Sequence, residues 1–84
     1  YATFGTKELS NNIILALENR KACLIANHGQ VAFGKNLSTA FELAQEVENI
    51  CYQYIIALKL GNPKILSFEE MKKVLDKFKN YKSE

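Results

Sequence analysis

Two short apolar runs, residues 22–26 (Ala-Cys-Leu-Ile-Ala) and 31–33 (Val-Ala-Phe), flank the one histidine of the chain. The first run is too short for a helix and does not alternate, which is the pattern of a strand buried on both faces. Between the runs, Asn27-His28-Gly29 reads as a turn, because Asn and Gly tolerate positive φ. The prediction is a strand, a turn and a second strand, with an imidazole at the lip of a buried sheet.

Outside this centre the apolar positions take helical spacing. Residues 1–5 form an extended or looped entry, and Thr6 caps a helix over 6–19. Leu9, Ile13, Ala16 and Leu17 make its apolar face, and Asn11, Asn12, Glu18 and Asn19 turn outward. Arg20 and Lys21 suit its C-terminal end, where cations meet the negative pole of the helix dipole. After the second strand, Gly34-Lys35-Asn36 breaks the chain and Ser38 caps a long helix over 39–60. Ala40, Ala44, Val47, Cys51, Tyr54, Ile55 and Leu58 share one face of it, predicted as core. Tyr52 and Ile56 lie off that stripe, either as a second face against another subunit or as scattered exposed side chains. Gly61, in a left-handed C′ position, and Pro63 end the helix. Ser67 and Glu70 then form a capping box, with Leu66 and Met71 as a hydrophobic staple. The last helix carries Phe68, Met71, Leu75 and Phe78 on one face and Lys72, Lys73, Lys77 and Lys79 around it, followed by a polar tail with Tyr81.

Composition narrows the function classes. Apolar residues make up 48% of the 84, ample for the core of a soluble, globular domain. Eleven basic against nine acidic residues give no electrostatic case for nucleic acid or a membrane surface, and the lysines of the last helix read as a solvated face. Cys23 and Cys51, far apart in sequence, look like free thiols of a reducing compartment, so cytoplasm is the expected location. No signal peptide is visible, and no apolar run reaches the roughly 18 residues of a spanning helix. The chain starts at Tyr1 rather than Met and offers only two strands, so further strands are expected upstream.

His28 has two readings from the residues alone. It is a turn histidine bonded to backbone or water, or one ligand of a metal whose other ligands lie elsewhere. A zinc centre needs at least three protein ligands, and neither cysteine has metal-type spacing to His28.

The opening Tyr1-Ala2-Thr3-Phe4-Gly5-Thr6-Lys7-Glu8-Leu9, the Asn27-His28-Gly29 after a strand, the long Glu-rich helix and the closing Lys77-Phe78-Lys79-Asn80-Tyr81 resemble the C-terminal portion of the class II aldolase/adducin family. The opening segment and the tail point to its fuculose-phosphate branch. The resemblance runs along the whole chain and implies that residues 1–84 are the C-terminal portion of a single domain. The implied fold is α/β, with three layers: helix, antiparallel sheet and helix. The implied assembly is a homotetramer. The implied activity is a zinc-dependent sugar-phosphate aldolase that reversibly cleaves L-fuculose 1-phosphate to dihydroxyacetone phosphate and L-lactaldehyde. His28 matches the third histidine of the Zn2+ site, with two more expected upstream of Tyr1. Tyr81 matches a catalytic tyrosine that handles the proton on the aldehyde oxygen, and Phe4 and Phe78 match aromatics lining the substrate. Ordinary core packing also accounts for those two phenylalanines. The acid/base glutamate, the phosphate-binding loop and two zinc ligands have no counterpart here, so this stretch alone is expected to be inactive. A pentulose-phosphate 4-epimerase, another class II aldolase and a non-catalytic adducin-like assembly module are the alternatives.

Overall fold

The computed structural model describes residues 1–82, and the side chains of Tyr81 and Lys82 lie outside that description. In chain order it contains α1 (Lys7–Ala16), β1 (Ala22–Ile25), β2 (Gly29–Ala32), α2 (Leu37–Leu60) and α3 (Phe68–Lys82). The α/β class and the order helix, strand, strand, long helix, helix are as expected.

The strands form an antiparallel hairpin with Ala22 opposite Ala32, Cys23 opposite Val31, Leu24 opposite Gln30 and Ile25 opposite Gly29. Phe33 N–H donates to the Lys21 carbonyl at 3.0 Å and prolongs the pairing by one bond. α1 packs on β1, and α2 crosses both strands. Gln30 fastens β2 to α2, its amide donating to the Ala44 carbonyl at 2.9 Å and to Glu48 at 3.0 Å.

The helix ends follow local chemistry and correct several expectations. Thr6 caps α1 as predicted, its hydroxyl accepting from Leu9 N–H at 3.2 Å. α1 nevertheless stops at Ala16, because residues 17–19 turn and Asn19 takes φ 60°, a left-handed value incompatible with continuing the helix. Arg20 and Lys21 thus fall beyond its last turn, which holds no basic residue. α2 is capped by Asn36 rather than Ser38. Extended at φ −149°, Asn36 accepts from both Thr39 N–H (2.9 Å) and the Thr39 hydroxyl (2.6 Å), which places Ser38 inside the first turn. Gly61 ends α2 at φ 157°, ψ −152°, which is an extended mirror-image conformation rather than the left-handed helical one. Ser67 caps α3 by accepting from Glu70 N–H at 3.1 Å, while the Glu70 carboxylate turns to Lys73 at 3.8 Å.

Burial departs most from expectation. Ala2 is the one buried hydrophobic residue among those described. Leu24 of the strand predicted to be covered on both faces is 66% exposed, its side chain left uncovered by the described residues. The accessible surface is 7770 Å², against about 5000 Å² for a compact monomer of this mass. The radius of gyration is 15.2 Å, against about 12 Å for a compact chain of this length. Apolar content sufficient for a core is therefore present, but these residues do not close around one. No helix of the described residues is long and apolar enough to cross a membrane.

Candidate functional site

The hairpin tip is built so that a side chain projects from it. Asn27 takes φ 67°, and the His28 N–H donates to the Ile25 carbonyl at 3.0 Å, closing a four-residue turn with positive φ at its third position. Asn is among the few residues that adopt this conformation cheaply. Gly29 follows at φ 145°, with open space where a Cβ would stand, so its cost to other residues is conformational.

The His28 imidazole is exposed at this tip and held by the entry segment, 26 residues earlier. Its Nε2 lies 3.0 Å from the Ala2 carbonyl oxygen. A carbonyl only accepts, so Nε2–H donates, and in the neutral ring the other nitrogen is then the one with a lone pair. The Tyr1 ring stacks on the imidazole, with centroids 5.2 Å apart and planes 15° from parallel. Ala2 is 8% exposed and anchors the segment, and the Thr6 hydroxyl donates to the Thr3 carbonyl at 2.6 Å, tying its exit to the α1 cap.

A ring with one nitrogen fixed by a backbone carbonyl and the other open suits a metal ligand, since ligating histidines usually donate their second N–H in this way. The described residues contain no group of three His, Cys, Asp or Glu able to hold a metal, so they offer one ligand only. Cys23 and Cys51 are free and half-buried. Of the other expected site residues, Phe4 is exposed in the entry segment. Phe78 lines a separate cleft with Lys21, Lys72, Leu75, Asp76 and Lys79. The Tyr81 side chain lies outside the described residues. Sequence reading missed the supports of His28. A stack from Tyr1 and a carbonyl contact from Ala2, both distant in sequence, leave no periodic trace, and one of them uses backbone.

The family model described as Class II Aldolase and Adducin N-terminal domain matches residues 1–55. The chain belongs to the class II aldolase and adducin family. Within this family it is 52% identical over 81 residues to a 5-methylthioribulose-1-phosphate/5-deoxyribulose-1-phosphate aldolase of Rhodospirillum rubrum, covering 96% of this chain and 37% of that protein. It is 50% identical over 82 residues to the L-fuculose phosphate aldolase of Escherichia coli K12, covering 96% and 38%. A 5-deoxy-D-ribulose 1-phosphate aldolase of Bacillus thuringiensis is 38% identical over 81 residues, covering 96% and 38%. The chain thus spans little more than a third of the length of these class II aldolases. No solved structure matches it.

Proposed function

We propose that this chain is the C-terminal portion of a single class II aldolase domain, and that the whole protein is a zinc-dependent lyase. Its reaction would be the reversible cleavage of a ketose 1-phosphate into dihydroxyacetone phosphate and an aldehyde, in a cytoplasmic homotetramer. The observation that carries this reading is the exposed His28 imidazole, with Nε2–H on the Ala2 carbonyl and its other nitrogen open. In it His28 is the one metal ligand this stretch supplies. When bound, the zinc supplies Lewis acidity for the charge that develops on the ketose oxygens as the carbon–carbon bond breaks. The Tyr81 phenol moves the proton at the aldehyde oxygen, a task suited to a donor that stays protonated at neutral pH. Phe4 and Phe78 line the apolar end of the substrate.

L-fuculose 1-phosphate, yielding L-lactaldehyde, is the first substrate of this reading. A 5-deoxypentulose 1-phosphate is the second, favoured by the 52% identity to the Rhodospirillum rubrum protein. Both ketoses end in an unoxygenated carbon, which is what two phenylalanines would accept. The test is to assay the full-length protein on both ketoses. His28→Ala is expected to lose bound zinc and about a thousandfold or more in kcat, the scale of a Lewis acid worth several kcal/mol. Tyr81→Phe is expected to lose about a hundredfold or more with zinc retained. Cleavage of neither ketose, or a His28→Ala variant that keeps zinc and rate, overturns the reading.

A further inference from the structure

An imidazole on an exposed two-strand turn has little to fix its plane. The turn's own bond, His28 N–H to the Ile25 carbonyl, holds backbone and leaves both side-chain torsions free. Two contacts remove that freedom, and both come from one dipeptide. The Ala2 carbonyl at 3.0 Å fixes a direction within the ring plane, and the Tyr1 ring, 15° from parallel, fixes the plane itself. Ala2, buried where nearly every neighbour is open, anchors the pair.

We propose that Tyr1 is a positioning residue that sets the plane of the His28 imidazole for metal binding. The inference rests on the reading of His28 as a ligand. Its physical basis goes beyond orientation. An imidazole that shares the charge of a divalent cation is electron-poor, and the face of a phenol ring is electron-rich, so the stack strengthens when the metal is bound. Tyr1 therefore favours the loaded state over the empty one. The competing role is apolar cover, since Tyr1 also lines a cleft with Leu9, Ile13 and Cys23. Cover needs bulk, whereas the proposed role needs an aromatic face and no hydroxyl.

The experiment uses the full-length protein with Tyr1→Phe, Tyr1→Leu and His28→Ala. Zinc affinity is read by chelator competition, geometry by the visible bands of the cobalt-substituted protein, and folding by melting of the metal-free form. Tyr1→Phe is expected to bind zinc within about twofold of the parent, while Tyr1→Leu weakens it about fivefold to tenfold, on the scale of one ring stack or outer support. The cobalt bands of Tyr1→Leu are expected to shift while the metal-free melting temperature holds. Should Tyr1→Leu not fold, Tyr1→Met makes the same comparison. Parental zinc affinity in the leucine or methionine variant overturns the proposal, as does a Tyr1→Phe loss equal to that of Tyr1→Leu. Full zinc affinity in His28→Ala overturns the ligand reading instead, so the two failures are distinguishable.

Discussion

The two halves of α2 carry the same apolar periodicity and live in different surroundings. Ala40, Leu43, Ala44 and Val47 are half-buried over the hairpin, and Gln30 bonds to the helix there. Beyond Cys51 the stripe continues through Tyr54, Ile55 and Leu58, all exposed, and Tyr52 and Leu60 stand open beside it. α3 repeats the second situation: its cap is made, yet Phe68, Met71, Leu75 and Phe78 are uncovered. The difference separates two things that one pattern encodes. Caps and intrahelical bonds are local and form in both halves, whereas burial needs a partner surface, which the described residues supply to α1 and the first half of α2.

The most severe challenge to this contrast is to isolate the 84 residues. With a surface of 7770 Å² and one buried hydrophobic residue among those described, the chain removes too little apolar area to offset its ordering entropy. The isolated polypeptide is expected to show helical circular dichroism without a cooperative melting transition, and calorimetric titration is expected to find no stoichiometric zinc. A sharp transition, or one zinc per chain, would mean that the open half closes on itself in solution.

A second test sets one residue from each surrounding against the other within the full-length protein. Val47→Asp puts a charge under the hairpin packing and is expected to cost about 2–4 kcal/mol in urea unfolding. Tyr52→Asp, off the main stripe and 66% exposed, is expected to leave the helical circular dichroism of the subunit unchanged while lowering the molecular mass seen by light scattering. That outcome would give the outer face of α2 to a neighbouring subunit. An unchanged mass would leave Tyr52 as an isolated surface aromatic.

Caps give a smaller and cleaner effect, independent of which half is covered. Asn36→Ala removes both bonds to Thr39 and is expected to cost about 1 kcal/mol, with Ser38→Ala costing only a few tenths. Thermal melting of the full-length protein distinguishes them, and the reverse ranking would restore Ser38 as the cap.

Those caps also mark what could be read in advance. Thr6 and Ser67 were legible because a capping hydroxyl acts within three residues, and the hairpin because Asn27 and Gly29 announce positive φ. Asn36 was missed because two polar residues near the same helix start both qualify, and only the extended backbone of Asn36 decides between them. Burial of Leu24 and of Tyr54, Ile55 and Leu58 on the α2 stripe was over-read, since an apolar run records that a surface should be covered and carries no record of what covers it. In the site, His28 was legible as the lone imidazole in a turn. Its hold on the Ala2 carbonyl was not, because a backbone acceptor has no residue signature.

The smallest expected effect belongs to Gln30, where the covered half of α2 meets the hairpin. Its amide nitrogen donates twice, yet its Oε1 is buried without a partner among the described residues. Turning the amide over would not help, because Oε1 would then face two oxygens that accept and cannot donate. Gln30→Leu loses two bonds worth about 1 kcal/mol each, but it also removes a buried acceptor whose desolvation costs about 1–3 kcal/mol. Neither acceptor left behind is stranded, since the Ala44 carbonyl sits inside a helix that supplies its own N–H and Glu48 is open to water. Unfolding in urea should therefore change by less than about 1 kcal/mol. A loss well above that would mean that Oε1 has a donor in the full-length protein, and the hairpin would then be held to α2 by a third bond that the described residues do not contain.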